Sequence, residues 1–150
     1  MLENAMTACS EELWSNGSKE FDFWYLAYHT LFYLDYYLSE SPADFHPPAP
    51  FTLSEYDPAG VLPERVYSKI ELLNYLEFGR EKCRVLIQGL TDEKAQQRFV
   101  NEYRNYSILE ILLYNMRHVQ HHAAQLNQLL RRHQDSAPNW VGRTKHPLHH

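Results

Sequence analysis

Tyr114-Asn115-Met116-Arg117-His118-Val119-Gln120-His121-His122-Ala123-Ala124-Gln125-Leu126 places three histidines within five residues of a segment with helical periodicity. In an α-helix each residue advances about 100°. With His118 at 0°, His122 falls at about 40° and His121 at about 300°, while Ile108, Ile111, Val119, Leu126 and Leu129 gather between about 20° and 100°. His118 and His122 therefore point inward with the apolar stripe, and His121 sits at its rim. Two imidazoles at i and i+4 on one inward face can hold a divalent metal, given a third ligand from elsewhere in the chain.

Working outward, this helix runs from about Asn105 to Arg132. Ser107 and Glu110 form a capping box at its start, and Arg131, Arg132 and His133 occupy its last turn, where cations suit the helix dipole. Before it, Thr91-Asp92-Glu93 reads as the cap and acidic first turn of a short segment ending at Phe99. Glu64 to about Leu90 is the preceding long helix, with Pro63 at its start and Gly89 near its end; Val66, Ile70, Leu73 and Leu76 set its period, and Gly79 is a weak spot inside it. The loop from Ser41 to Pro63 carries six of the eight prolines, which forbids continuous helix. A loop of this length is functional or a cover, and Phe45, Phe51 and Tyr56 imply that it packs down. Lys19 to Ser39 is a helix apolar on every side, hence buried on every side, with one face on the core and another on a second subunit. Residues 2–15 form a first helix, stopped by Asn16-Gly17-Ser18. Ser136 to His150 is a tail containing Trp140. No strand pattern stands out. Four helical segments without strands give an all-α four-helix bundle, with a long Pro-rich loop between helices two and three.

The 150 residues suit a single domain, 1–150, large enough to bury a core; 14% aromatic content with eleven tyrosines excludes disorder. A net charge of −5 argues against nucleic-acid binding. The most hydrophobic run, Phe21 to Leu38, contains Asp22, His29 and Asp35, so no membrane span is expected. Met1 to Asn16 lacks the basic and apolar regions of a secretory leader. Cys9 and Cys83, far apart in sequence, read as packing residues or free thiols and suit a reducing cytoplasm.

The third ligand is best sought at His29, almost alone as a polar group in the middle of the most buried helix, where an unpaired imidazole is costly. His29, His118 and His122 leave coordination positions open for water or substrate, and three neutral imidazoles suit zinc, nickel, copper or iron rather than calcium or magnesium. Asp22, seven residues before His29, is a candidate to orient an imidazole, or else serves the helix dipole. His121 reads as a rim residue bonding to solvent or Gln125, His46 as surface, and Tyr25 and Gln125 as the nearest inward polar groups. A lone buried histidine is more often structural than a ligand; the joint inward placement of three favours the metal. No catalytic residue stands out.

The run Asn115 to Leu126, together with Trp24-Tyr25-Leu26-Ala27-Tyr28-His29, resembles the DinB-like (DinB/YfiT) superfamily. That resemblance implies a four-helix bundle of unusual connectivity, often dimeric, holding a divalent metal on three histidines that map onto His29, His118 and His122. It implies no single reaction: some members are S-transferases using low-molecular-weight thiols such as bacillithiol or mycothiol, others hydrolases or isomerases. The expectation is a cytoplasmic, homodimeric, zinc- or nickel-dependent transferase or hydrolase acting on a small molecule. The alternatives are a non-catalytic metal-binding or stress-response bundle, and a plain bundle with buried histidines.

Overall fold

Two serine caps set the starts of the longest helices. Before α6 (Ile108–Gln134), Ser107 Oγ accepts from the Glu110 N–H at 3.2 Å and the Glu110 carboxylate accepts from the Ser107 N–H at 2.7 Å. Ser68 and Glu71 repeat the box at α4 (Lys69–Gln88). Each such cap contributes about 1 kcal/mol. These elements belong to a computed structural model that describes residues 1–15, 22–40 and 42–143. Its other helices are α1 (Leu2–Ala8), α2 (Glu11–Ser15), α3 (Phe23–Tyr37) and α5 (Asp92–Gln96), with 3-10 turns at Pro42–Asp44 and Ser54–Tyr56.

The fold is the expected helical bundle. The α3 helix packs on α6 and α4, and α1 packs on the same two. Several boundaries differ from expectation, each for a local reason. The first helix is broken at Cys9, whose backbone is extended. Ser10 Oγ then accepts from the Leu13 N–H, which starts α2. The break is held by Gln134 at the far end of α6, which accepts from the Ser10 N–H at 2.8 Å and donates to the Ala8 carbonyl at 3.1 Å. The expected stop at residues 16–18 and the start of helix two at 19–21 lie outside the described residues, as does the tail beyond 143.

The α4 helix starts at Lys69 rather than Glu64 because the preceding residues have other partners. Trp14 Nε1 donates to the Tyr67 carbonyl at 2.9 Å, and Arg65 pairs with the capping carboxylate of Glu71. Its inward face is Leu72, Tyr75, Leu76, Gly79 and Leu86; of the expected row, continued by Val85 and Leu86, Leu76 and Leu86 are buried, whereas Val66, Ile70 and Val85 are exposed, Ile70 at 64%. Gly79 is a close-approach position: a Cβ there would lie 3.0 Å from Leu34 Cδ2 on α3.

A two-stranded antiparallel hairpin, which the sequence did not suggest, links α5 to α6. It pairs β1 (Arg98–Val100) with β2 (Asn105–Ser107) in the register Phe99 opposite Tyr106. Three-residue strands are too short for alternation to register, yet the hairpin inserts Phe99 fully into the core.

Every residue of α3 is at least half-buried. The face assigned above to a second subunit is covered by the chain's own Pro-rich loop. Phe51 stacks on Tyr75 at 4.2 Å and lies on Tyr28, and Phe45 meets Phe32 edge-on at 5.3 Å. Each such buried aromatic contributes about 2 kcal/mol or more. On the α4 side, α3 also buries the Asp35 carboxylate. Its Oδ2 accepts from the Tyr75 hydroxyl at 3.0 Å and its Oδ1 from Lys82 Nζ at 2.5 Å; the same ammonium reaches Ser39 Oγ at 2.9 Å. Among the described residues no helix is long and apolar enough to cross a membrane.

Candidate metal centre

The site lies where α3 and α6 face each other. One turn before His118, Asn115 Nδ2 donates to the Leu34 carbonyl at 2.9 Å and ties α6 to α3. That contact sets His118 and His122 opposite His29. The three rings lie 4.4 Å (His118–His122), 4.9 Å (His29–His122) and 5.4 Å (His29–His118) apart, centroid to centroid. One ligand atom from each falls within 4.8 Å of the others, so the group can hold a metal ion. Among the described residues no other cluster of histidines, cysteines and carboxylates has this geometry.

Two of the imidazoles are oriented by partners that the sequence did not single out for the task. His29 Nδ1 lies 2.6 Å from Glu55 Oε2, and the Glu55 side chain is only 3% exposed. An ionised carboxylate can only accept, so the proton belongs on Nδ1 and the His29 Nε2 lone pair is left free. Glu55 comes from the 3-10 turn of the Pro-rich loop. Tyr28, next to His29, donates to the Thr52 carbonyl at 2.7 Å and straps that loop onto α3. The cover is therefore also part of the site. Of the two roles open to Asp22, the structure gives the one at the helix start: it occupies the N-cap position of α3, with no cap hydrogen bond from its side chain. Likewise Gln125 pairs with His122, whose Nδ1 lies 2.6 Å from Gln125 Oε1, rather than with His121.

His118 is different: its Nδ1 is buried and has no hydrogen-bond partner. Burial first, then the neighbouring His122, His29, His121 and Arg104, push its pKa down to about 3. Burial also lowers His122, partly offset by Gln125. Both rings are thus neutral near pH 7, the state in which imidazole can ligate. Tyr33 and Tyr37 wall the cluster, with rings 5.7 and 5.9 Å from that of His118. Burial and the Glu55 carboxylate push the Tyr33 and Tyr25 hydroxyls above their ordinary pKa. Tyr25 is thus a neighbour of Glu55.

Three imidazole donors, one with an orphaned buried nitrogen, fit a borderline transition-metal ion and fit calcium or magnesium poorly. His121 is exposed and outside the cluster; its ring lies 5.1 Å from that of His122. His118, alone of the three, reaches a groove of about 510 Å³ that it lines with Tyr114, Arg117, Gln120 and His121. A larger concavity of about 650 Å³, lined in part by Phe45, Phe78 and Lys82, touches none of the three histidines. His46 is exposed and His133 lies in the last turn of α6, both as expected, and Cys9 and Cys83 are free thiols away from the site; burial pushes the Cys9 thiol up to about 12.

Residues 2–126 match the family model of the DinB superfamily. No curated protein and no solved structure matches the chain.

Proposed function

We propose that this chain, which belongs to the DinB superfamily, is a divalent-metal-dependent enzyme acting on a small molecule at His29, His118 and His122. The observation that carries this reading is the convergence of three imidazole ligand atoms within 4.8 Å, with no fourth protein donor among the described residues. Such a set leaves room for water or substrate, the pattern of catalytic rather than structural sites. Zinc and nickel suit the donors best. Glu55 and Gln125 hold the outer nitrogens of His29 and His122 so that the inner ones face the same point, and the Tyr33 and Tyr37 rings keep bulk water from His118. A bound divalent ion supplies Lewis acidity, which favours the deprotonated form of water or a thiol near neutral pH.

The chemistry this supports is S-transfer from a low-molecular-weight thiol to an electrophilic carbon, or hydrolysis. Uncrosslinked Cys9 and Cys83 fit a reducing cytoplasm. The exposed apolar row Leu109, Leu113 and Met116 on α6 fits a homodimer. The test compares zinc- or nickel-loaded with chelator-stripped protein on panels of thiol–electrophile pairs and small esters. Turnover only in the loaded form, lost in His122→Ala, is expected. Stoichiometric metal without turnover on any panel would favour the non-catalytic metal-binding reading.

A further inference from the structure

The hairpin between β1 and β2 carries a cation whose placement the bundle does not require. Its turn is tied by Asn101: the Asn101 side-chain oxygen accepts from the N–H groups of Tyr103 and Arg104 at 2.9 and 2.7 Å, and the Asn101 N–H donates to the Arg104 carbonyl at 2.9 Å. Asn101 Nδ2 in turn donates to the Tyr36 hydroxyl at 2.9 Å, fixing the turn to α3. This framework delivers the Arg104 guanidinium onto two aromatic faces, 4.9 Å from the Tyr114 centroid and 5.4 Å from that of Tyr37. One N–H donates to the Tyr114 hydroxyl at 2.9 Å. Tyr114 lines the groove at the histidine cluster, and Tyr37 touches the His118 ring. Arg104 is thus held at the edge of the metal centre by stacking, with most of its five N–H donors still unassigned.

Its charge is uncompensated. All seven basic residues from Arg65 to Arg98 lie within ion-pair distance of a carboxylate. Among the described residues Arg104 makes no such pair, although Glu102 shares its turn, and neither does Arg117 on the groove wall. In a chain of net charge −5, two arginines without acid partners beside one groove make a local positive region. A stacked, half-buried guanidinium with a free fork matches a carboxylate, which it can bind through two parallel N–H···O bonds.

We propose that Arg104, with Arg117 on the groove wall, binds a carboxylate on the small molecule whose reacting end sits at the three histidines. The site thereby selects anionic over neutral substrates. Arg104 is a binding and specificity residue here, and the proposal rests on the metal-dependent reading above. It commits to the class of substrate, a carboxylic acid with its reactive centre several bonds away.

The test uses zinc-loaded protein and a series of ω-mercapto acids, from mercaptoacetate to 6-mercaptohexanoate, each beside its isosteric neutral amide. The thiol occupies the metal and the far end reports on Arg104. Affinities are measured by calorimetry, and the Arg104 Nε–H signal is followed by NMR. At one or more chain lengths the acid should bind at least about tenfold tighter than its amide, with a shift of the Arg104 signal. Arg104→Gln should equalise acid and amide while keeping zinc content and amide affinity, and Arg104→Lys should restore only part of the preference. Equal affinities for acid and amide at every length, or a preference that survives in Arg104→Gln, would overturn the proposal. Should the protein take up no zinc, the metal reading falls separately. Titration with propionate then tests the arginine alone: a shift of the Arg104 signal supports it and no shift refutes it. The wild-type NMR readout stands even if a variant fails to fold.

Discussion

Two polar clusters flank α3, and they are completed in opposite ways. On the α4 side, both carboxylate oxygens of Asp35 have donors, from Tyr75 and Lys82, and Lys82 also serves the Asp35 carbonyl and Ser39. On the α6 side, Glu55 and Gln125 satisfy one nitrogen each of His29 and His122, His118 Nδ1 has no partner, and the three rings converge on unused lone pairs. The first cluster closes on itself and locks two helices together. The second has partners on the outer nitrogens of two rings and is open on its inside. Burial of polar groups does not by itself mark function; several of them sharing one unmet valence does.

Breaking the closed cluster should have the larger effect on stability. Asp35→Ala leaves the Lys82 ammonium and the Tyr75 hydroxyl without their acceptor. A loss of about 2–3 kcal/mol is expected in urea unfolding, below the figure for a fully buried pair because the Lys82 side chain keeps 28% exposure. Metal content should stay unchanged; a variant that keeps its stability but loses metal would erase the contrast. At the open cluster the effect should be on metal instead. Glu55→Gln removes the charge that orients His29 and should weaken zinc affinity by about 10–100-fold, with little change in the unfolding of the metal-free protein. Competition with a chromophoric chelator reads this directly, and an unaltered affinity would make Glu55 merely a loop anchor.

Acid sharpens the same comparison. The pKa values of His118 and His122 lie below the ordinary 6.5 in the folded chain, that of His118 at about 3. The unfolded chain therefore binds protons that the folded chain refuses, and the metal-free protein should lose stability as pH falls below about 6.5. Between pH 6.5 and 5, above the range of the carboxylates, this slope should flatten in His118→Leu. Urea midpoints at a few pH values check it; equal slopes in the two proteins would contradict it. The smallest effect expected is that of His118→Leu on the metal-free protein at pH 7: a change under about 1 kcal/mol, because the lost imidazole left a buried nitrogen unsatisfied.

The bundle and the three histidines were legible because both depend on period. His118 and His122 lie four apart on a long amphipathic helix, and His29 interrupts the most aromatic helix of the chain. Ser107 and Glu110 announced their cap for the same reason: a capping box is local. Contacts made across the fold were not legible. Glu55 is one acid among several in a proline-rich loop, and it comes under His29 through contacts across the fold: the packing of Phe51 and Tyr56 on α3 and the bonds from Tyr28 to Thr52 and from Tyr33 to the Glu55 carbonyl. The break at Cys9 depends on Gln134, at the opposite end of the described chain. Arg104 sits in a three-residue hairpin, too short for periodicity to reveal. The all-round apolar pattern of α3 shows only that something covers it, and the chain's own loop supplies that cover on the Phe45 and Phe51 side.

The measurement that bears most directly on the account is the metal content of untagged protein, by plasma mass spectrometry after incubation with zinc or nickel and removal of the excess. About one metal per chain in the wild type, and none in folded His29→Ala or His122→Ala, is the expected result. No metal in the wild type, or equal metal in the variants, would contradict the three-histidine centre and leave a helical bundle with buried histidines.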